Sequence, residues 1–182
     1  SVKREEAGWG WRMAVNLCRL PLSLALIFSG FVKAIDPLGT QYKIGDYLEA
    51  LHLEQYAPSW ATLTTSVLLS AVEFCLGVFL LFAIRRRKVS RVIVAFMAIM
   101  TAITVWLWGW EPIKDCGCFG DAIHLTNGET LLKNLLLLAM AAVVAWKPFC
   151  MVRFISKTNQ WIVINYTLLF ILVSSALSLW YL

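Results

Sequence analysis

Five apolar stretches, each long enough to cross a lipid bilayer, constrain this chain more than any other feature of its sequence. They cover roughly residues 13–32, 62–84, 91–110, 130–146 and 161–182. A membrane-spanning helix needs about 20 mostly apolar residues. The 182-residue chain is 60% hydrophobic and only 15% charged, more apolar than a soluble domain. The sequence therefore predicts an all-α membrane protein, a bundle of transmembrane helices in contact with the lipid bilayer.

Basic residues alternate between successive loops and predict the side of the membrane that each loop faces. Cytoplasmic loops are enriched in Lys and Arg. Here these residues cluster in the N-terminal segment and in the second and fourth loops: Lys3, Arg4, Arg12; Arg85, Arg86, Arg87, Lys88, Arg91; Lys147, Arg153, Lys157. The first and third loops are richer in acid. We therefore expect a multi-pass membrane protein with a cytoplasmic N-terminus and a third loop on the outer side. The net charge of +5 follows from these loops and does not indicate nucleic-acid binding.

The first outer loop contains a short amphipathic pattern. Ile44, Tyr47, Leu48 and Leu51 recur at helical spacing and form one apolar face. The segment is too short to span the membrane, so we expect a short helix lying in the outer interface.

The third loop carries the strongest chemical signal, the sequence Cys116-Gly117-Cys118. Two cysteines one residue apart can close into a strained disulfide, which is readily reduced and re-formed. Glycine lets the backbone adopt the dihedral angles that such a ring needs. The predicted outer position lies in an oxidising compartment, where disulfides form and persist. These features favour a redox-active pair.

Three other interpretations of the pair compete with redox activity. It could be a permanent structural disulfide, although a short loop gains little stability from a crosslink. It could be part of a metal site with His52 and His124, but a metal needs three or four ligands and the outer face offers few, so we expect no metal. The two thiols could also be inert.

Glu73 is the second signal, because a carboxylate near the middle of the second span is costly and indicates function. It could bind a quinone, pair with a base, or form a structural helix contact beside Gly77. Arg19 and Lys33 lie on one face of the first span and are candidate partners. For Lys33 we expect instead that the side chain extends to the outer interface.

Tryptophans gather toward the outer ends of the spans. Trp106 and Trp110, with Arg19, are candidate residues for binding a quinone. An aromatic belt at the membrane surface explains the tryptophans with fewer assumptions.

Taken together, these residues resemble the DoxX/MauE family of small redox-associated inner-membrane proteins. The resemblance covers the first four spans, roughly residues 12–147. The matching positions are Arg19, Phe28-Ser29-Gly30-Phe31-Val32-Lys33, Asp36-Pro37, Glu73, Gly77, Asp115-Cys116-Gly117-Cys118-Phe119-Gly120 and Asn134. Lys133 stands where the family pattern has an arginine.

The resemblance implies an antiparallel four-helix transmembrane bundle, similar in arrangement to vitamin K epoxide reductase, to which this chain adds a fifth transmembrane helix and the short interfacial helix. It implies periplasmic thiol chemistry, with a thioredoxin-like partner for MauE-type members and a quinone for DoxX-type members. Cys116 and Cys118 are then the redox pair, and Glu73 and Lys33 are the polar catalytic positions. We expect residues 1–147 to form the family domain. Residues 148–182 then form a cytoplasmic loop and a fifth span, which in related chains can lead into a periplasmic domain.

Two main functional hypotheses follow. The first is a thiol–disulfide relay in a bacterial inner membrane, between a periplasmic thioredoxin-like partner and the quinone pool, with the Cys-Gly-Cys loop in the periplasm. The second is a non-catalytic anchor or scaffold subunit of a larger membrane complex, with Cys116–Cys118 as a structural disulfide. A solute carrier that uses Glu73 ranks third, because no second charge within the membrane is expected to pair with it and no span is visibly broken.

Overall fold

The computed structural model describes residues 8–53, 56, 58–110, 126–156 and 158–180. These residues form six α-helices and one short 3₁₀ helix, Pro148–Cys150. The α-helices are α1 (Trp9–Ile35), α2 (Pro37–Ala50), α3 (Ser59–Leu81), α4 (Arg86–Trp110), α5 (Asn127–Trp146) and α6 (Gln160–Trp180). All except α2 are long and apolar enough to cross a membrane. The predicted all-α membrane fold with five spans is confirmed.

Four of the spans form a closed ring. Helix α1 contacts α3 and α5, and α4 contacts the same two helices from the other side. The fifth span, α6, lies outside this ring against α1 and α3. There the Phe170 ring stacks on Phe31 and Phe74, with ring centroids 6.1 and 5.3 Å apart. The fold is therefore a four-helix bundle with one added helix.

The helix ends follow local chemistry more closely than hydropathy. The apolar run of the second span continues to Ile84, but α3 ends at Leu81. Ala83 and Arg85 have positive φ angles of 54° and 42°, and both Ala83 and Ile84 are fully buried. The predicted end of this span was wrong because a tight turn here is made of apolar residues that continue the core.

Helix α5 begins at Asn127, three residues before the apolar stretch, and ends with that stretch at Trp146. The Thr126 side chain accepts a hydrogen bond from the Glu129 backbone N–H, and the Glu129 carboxylate accepts one from the Thr126 N–H. This reciprocal arrangement satisfies donors that the first turn of a helix leaves open. The helix ends at Trp146, directly before Lys147 and Pro148, because proline cannot continue the backbone hydrogen bonding.

Helix α2 is longer than the pattern in the first loop indicates. It begins at Pro37, directly after Asp36, whose Oδ1 accepts a hydrogen bond 2.9 Å long from the Gly39 N–H. Proline is favoured in the first helical turn because its missing N–H has no partner there. Ser66 of α3 donates a buried hydrogen bond of 2.7 Å to the Pro37 carbonyl. The junction of α1 and α2 is therefore tied to α3.

The nine tryptophans all lie near helix ends. Trp9, Trp11, Trp146 and Trp161 lie at the end of the bundle that holds the α3–α4 turn and the α5–α6 connection, which we call the basic end. Trp60, Trp106, Trp108, Trp110 and Trp180 lie at the opposite end. All are exposed except Trp106, which is half-buried. Two such groups are typical of the aromatic belts of a membrane protein.

Candidate functional site

A buried ion pair joins the first and second spans. Lys33 Nζ donates to Glu73 Oε2 over 2.6 Å, and the two side chains are only 5% and 8% exposed. Lys33 Nζ also donates to Ser29 Oγ, one turn earlier on α1, over 3.2 Å. Glu73 lies near the middle of α3, as predicted. The expectation that Lys33 reaches the outer interface was wrong, because its ammonium group turns inward to this carboxylate.

Two glycines bring α1 and α3 close enough for this pair to form. A Cβ atom on Gly30 would lie 2.5 Å from the Phe74 backbone nitrogen, and one on Gly77 would lie 2.7 Å from the Ile27 backbone nitrogen. No side chain larger than hydrogen fits at either position without moving a backbone. The predicted role of Gly77 in close packing is confirmed. Gly30 does the same on the partner helix.

A small cavity with a mostly apolar wall lies beside the ion pair. It is lined by Ser29, Lys33, Glu73, Lys133 and Asn134, and by apolar groups of α1, α4 and α5. Its volume is about 20 Å³, room for about one water molecule. The cavity brings together polar residues from three helices of the bundle.

The fourth span contributes a neutral hydrogen bond near this cavity. Asn134 Nδ2 donates to Thr104 Oγ1 over 2.8 Å, and both residues are buried. Asn134, one of the positions that carry the family resemblance, thus bonds a neighbouring helix. Ser29 and Thr104 were missed as members of this polar group, although Ser29 precedes Lys33 by one helical turn and so lies on the same face.

The Lys33–Glu73 pair brings two opposite charges into the bundle interior. Transferring either charge alone from water is very costly, and mutual attraction with further hydrogen bonds offsets that cost. The hypothesis of a solute carrier was ranked low because Glu73 was expected to have no charged partner within the membrane. That expectation was wrong, since Lys33 is such a partner.

Arg19 lies elsewhere, at the basic end. Its Nη1 donates to the Val152 carbonyl over 2.6 Å, and its guanidinium stands 5.0 Å from the centroid of the Phe154 ring. Trp106 and Trp110 lie at the opposite end of α4. Arg19 and the two tryptophans therefore do not form one site. Arg19 instead fixes the connection that leads to α6.

The cysteine pair Cys116 and Cys118 lies outside the described residues, as does His124. The loop that contains them leaves α4 at Trp110 and enters α5 at Thr126, so both of its ends lie opposite the basic end. Within the described part of the chain, no group of three or more His, Cys, Asp or Glu side chains could hold a metal. The roles of the two thiols stay predictions.

Comparison with known protein families decides the family. The model of methylamine utilisation protein MauE matches residues 11–147, three quarters of the chain. This chain belongs to the MauE family. The match supports the MauE part of the resemblance and does not extend to DoxX. Neither the curated proteins nor the solved structures include a match.

The MauE match runs from the first turn of α1 to the residue after α5. It thus includes the closed ring of four helices, the Lys33–Glu73 pair and the loop with the two cysteines. Helix α6 lies beyond the matched segment. The polar group inside the bundle and the predicted thiol site therefore belong to the MauE part of the chain.

Proposed function

We propose that this MauE-family membrane protein is a thiol–disulfide relay in which Cys116 and Cys118 exchange electrons with a periplasmic thioredoxin-like partner. One observation carries the proposal: the Cys-Gly-Cys segment connects α4 to α5 at the end of the bundle opposite the basic loops. Basic loops favour the cytoplasm. The opposite end then faces a compartment in which a partner's thiols and disulfides can interconvert.

The exchange reaction needs only the sulfur atoms of the two proteins. A partner thiolate attacks one sulfur of the Cys116–Cys118 disulfide, so that an intermolecular S–S bond forms as the internal one breaks. The second partner thiol displaces this mixed disulfide. The partner leaves with a disulfide, and Cys116 and Cys118 remain as two thiols, having gained two electrons and two protons.

A membrane quinone is the acceptor we propose for these two electrons and two protons. The cavity beside Lys33 holds about one water and is too small for a quinone ring, so we assign no quinone to it. A lipid-soluble acceptor would approach from the bilayer, near the outer ends of the spans where Trp106 and Trp110 lie. In this proposal Lys33 and Glu73 hold α1 against α3 and keep a protonatable group inside the bundle.

The thiol state of the pair tests the relay. The chain has five cysteines, and the three in the described part, Cys18, Cys75 and Cys150, are free. Trapping with a maleimide–polyethylene glycol reagent in denaturant should therefore add five labels when the pair is reduced and three when it is oxidised. We expect a reduced thioredoxin-like protein to shift the pattern from three labels to five, and an added quinone to restore three.

Two variants serve as controls for this experiment. Cys116→Ser with Cys118→Ser should give three labels under every condition, and Cys75→Ser should lower each count by one without stopping the shift. A wild-type pair that stays oxidised in every state short of denaturation would contradict the relay.

A non-catalytic scaffold is the second candidate. What favours it is that the buried polar side chains of the bundle bond to one another, as in Lys33–Glu73 and Asn134–Thr104, an arrangement that a purely structural bundle also needs. In that case the double serine variant would keep the assembly and activity of its membrane complex, whereas the relay predicts that activity is lost while assembly persists.

A further inference from the structure

The basic end of the bundle has a strong excess of positive charge. The described basic residues there are Arg12, Arg19, Arg85, Arg86, Arg87, Lys88, Arg91, Lys147 and Arg153, and no described Asp or Glu lies at this end. Much of this set follows from membrane topology. Three of its arginines, Arg19, Arg86 and Arg153, differ from the others because the Nε atom of each is buried. Arg86 Nη1 donates to the Phe149 and Met151 carbonyls, whereas Arg19 and Arg153 are the two that adjoin residues 152–154.

Arg19 is 1% exposed and has no carboxylate partner among the described residues. Its Nη1 bonds the Val152 carbonyl, the Phe154 ring faces its guanidinium, and its Nε is buried without a hydrogen-bond partner. A guanidinium carries five N–H donors and keeps its charge in proteins. Among the described residues, the Val152 carbonyl and the Phe154 ring therefore compensate the charge of Arg19 only in part.

Arg153 lies between the two residues that Arg19 contacts. Its Nε is also buried without a hydrogen-bond partner, while the residue as a whole is half-buried. Its neighbours Val152 and Phe154 are 41% and 60% exposed, so this segment lies at the surface. One accessible segment, residues 152–154, therefore contains Arg153 and contacts Arg19 through Val152 and Phe154.

We propose that residues 152–154 bind the phosphate of an anionic phospholipid at the basic end of the bundle. Arg153 contacts the headgroup, and Arg19 supports the segment from beneath and adds its charge. Arginine suits phosphate because its planar fork can donate two parallel hydrogen bonds, and basic pockets beside transmembrane helices bind anionic headgroups. This inference is independent of the thiol chemistry.

A lipid is favoured over a free anion by the apolar surface that adjoins the segment. Leu20, which directly follows Arg19, and Leu24, about one turn farther along α1, are 41% and 57% exposed. Trp161 at the start of α6 is 62% exposed. Acyl chains of a bound phospholipid can cover these side chains, whereas inorganic phosphate offers nothing to them.

Native mass spectrometry of the full-length chain tests the proposal, with phosphatidylglycerol and phosphatidylcholine titrated into the detergent-solubilised protein. We expect retained phosphatidylglycerol and little phosphatidylcholine. Arg153→Gln should weaken phosphatidylglycerol binding about fivefold, since one basic residue near an anionic surface contributes about 1 kcal/mol. Arg91→Gln is the matched control, because it removes the same charge from an exposed position on α4 at the same end, and it should change binding less than about twofold.

Thermal unfolding gives the second readout and covers the possibility that a variant folds poorly. Phosphatidylglycerol should raise the melting temperature of the wild type and of Arg91→Gln by similar amounts, and that of Arg153→Gln by less. The melting temperature of Arg153→Gln without lipid shows whether this variant is folded. Equal losses in the two variants would overturn the proposal in favour of diffuse attraction. Inorganic phosphate that stabilises the protein as much as the lipid does would overturn it in favour of a soluble-anion site.

Discussion

The contact of α1 with α3 and the contact of α4 with α5 hold the same bundle together by different chemistry. Between α1 and α3, Gly30 and Gly77 let the backbones touch, and the Lys33–Glu73 pair crosses the interface. Between α4 and α5, the polar link is the neutral hydrogen bond from Asn134 to Thr104. The described link across the first interface is an ion pair, and the described link across the second is neutral.

This difference shows which interface tolerates change. An ion pair inside a bundle is stabilising only while both partners are present, because either one alone is a buried, uncompensated charge. A neutral amide–hydroxyl bond is worth less and leaves a smaller penalty when it is broken. We therefore expect α1 and α3 to be coupled in an all-or-none manner, and α4 and α5 to adapt more easily.

The largest effect is expected from breaking the ion pair. Glu73→Leu should lower the free energy of unfolding by about 3 to 5 kcal/mol, because it strands the Lys33 ammonium group in the interior. The double variant Lys33→Met with Glu73→Leu should recover most of this loss. Unfolding by dodecyl sulfate in mixed micelles, followed by circular dichroism, measures both values.

Glu49→Gln is the control for this experiment, because Glu49 is an exposed carboxylate on α2 and its loss should change stability little. If the double variant is as unstable as Glu73→Leu alone, a stranded charge is not the cause of the instability. The proposed difference between the charged and the neutral interface would then be wrong.

The next effect concerns the glycine contact. Gly30→Ala should cost about 1 to 3 kcal/mol, because its Cβ would lie 2.5 Å from the Phe74 backbone nitrogen and would push α1 away from α3. Gly109→Ala is a matched control on α4, where a Cβ meets nothing within 4 Å, and it should be neutral or slightly stabilising. The same unfolding assay compares them, and equal costs would show that α1 and α3 are not in tight contact.

The smallest effect concerns the neutral link. Asn134→Leu should cost about 0.6 kcal/mol, and at most about 1.7, the range found for hydrogen bonds between membrane helices. A double-mutant cycle with Thr104→Val isolates the interaction itself. A coupling energy as large as that of Lys33 with Glu73 would erase the distinction between the two interfaces.

Most of the fold could be predicted from hydropathy, because a span must be apolar over its whole length whatever its neighbours are. The limits of this signal appear where apolar residues do not form a helix. Ala83 and Ile84 belong to a buried turn, and a hydropathy profile cannot distinguish them from the last residues of α3. The start of α2 at Pro37 depends on Asp36 as its cap, which is visible in the sequence once both residues are read together.

The candidate site could be predicted only in part. Glu73 stood out because ionisable residues are rare inside spans, and Asn134 entered only as a position of the family pattern. The pairing of Glu73 with Lys33 depends on how far α1 is shifted along α3, which the Gly30 and Gly77 contacts set. The position of one helix along another cannot be predicted from hydropathy in a single sequence. Arg19 also stood out, but its partner is the backbone carbonyl of Val152. Since every residue has a backbone carbonyl, the sequence could not identify this partner.

The stacking of Phe170 has a mechanical consequence. Its ring touches Phe31 of one central helix and Phe74 of the other, and Phe74 directly follows the carboxylate residue of the ion pair. Whatever rotates or inclines α6 within the bilayer must displace these two rings together. Helix α6, which lies beyond the MauE match, is thereby connected through three aromatic side chains to the helices that hold the buried Lys33–Glu73 ion pair.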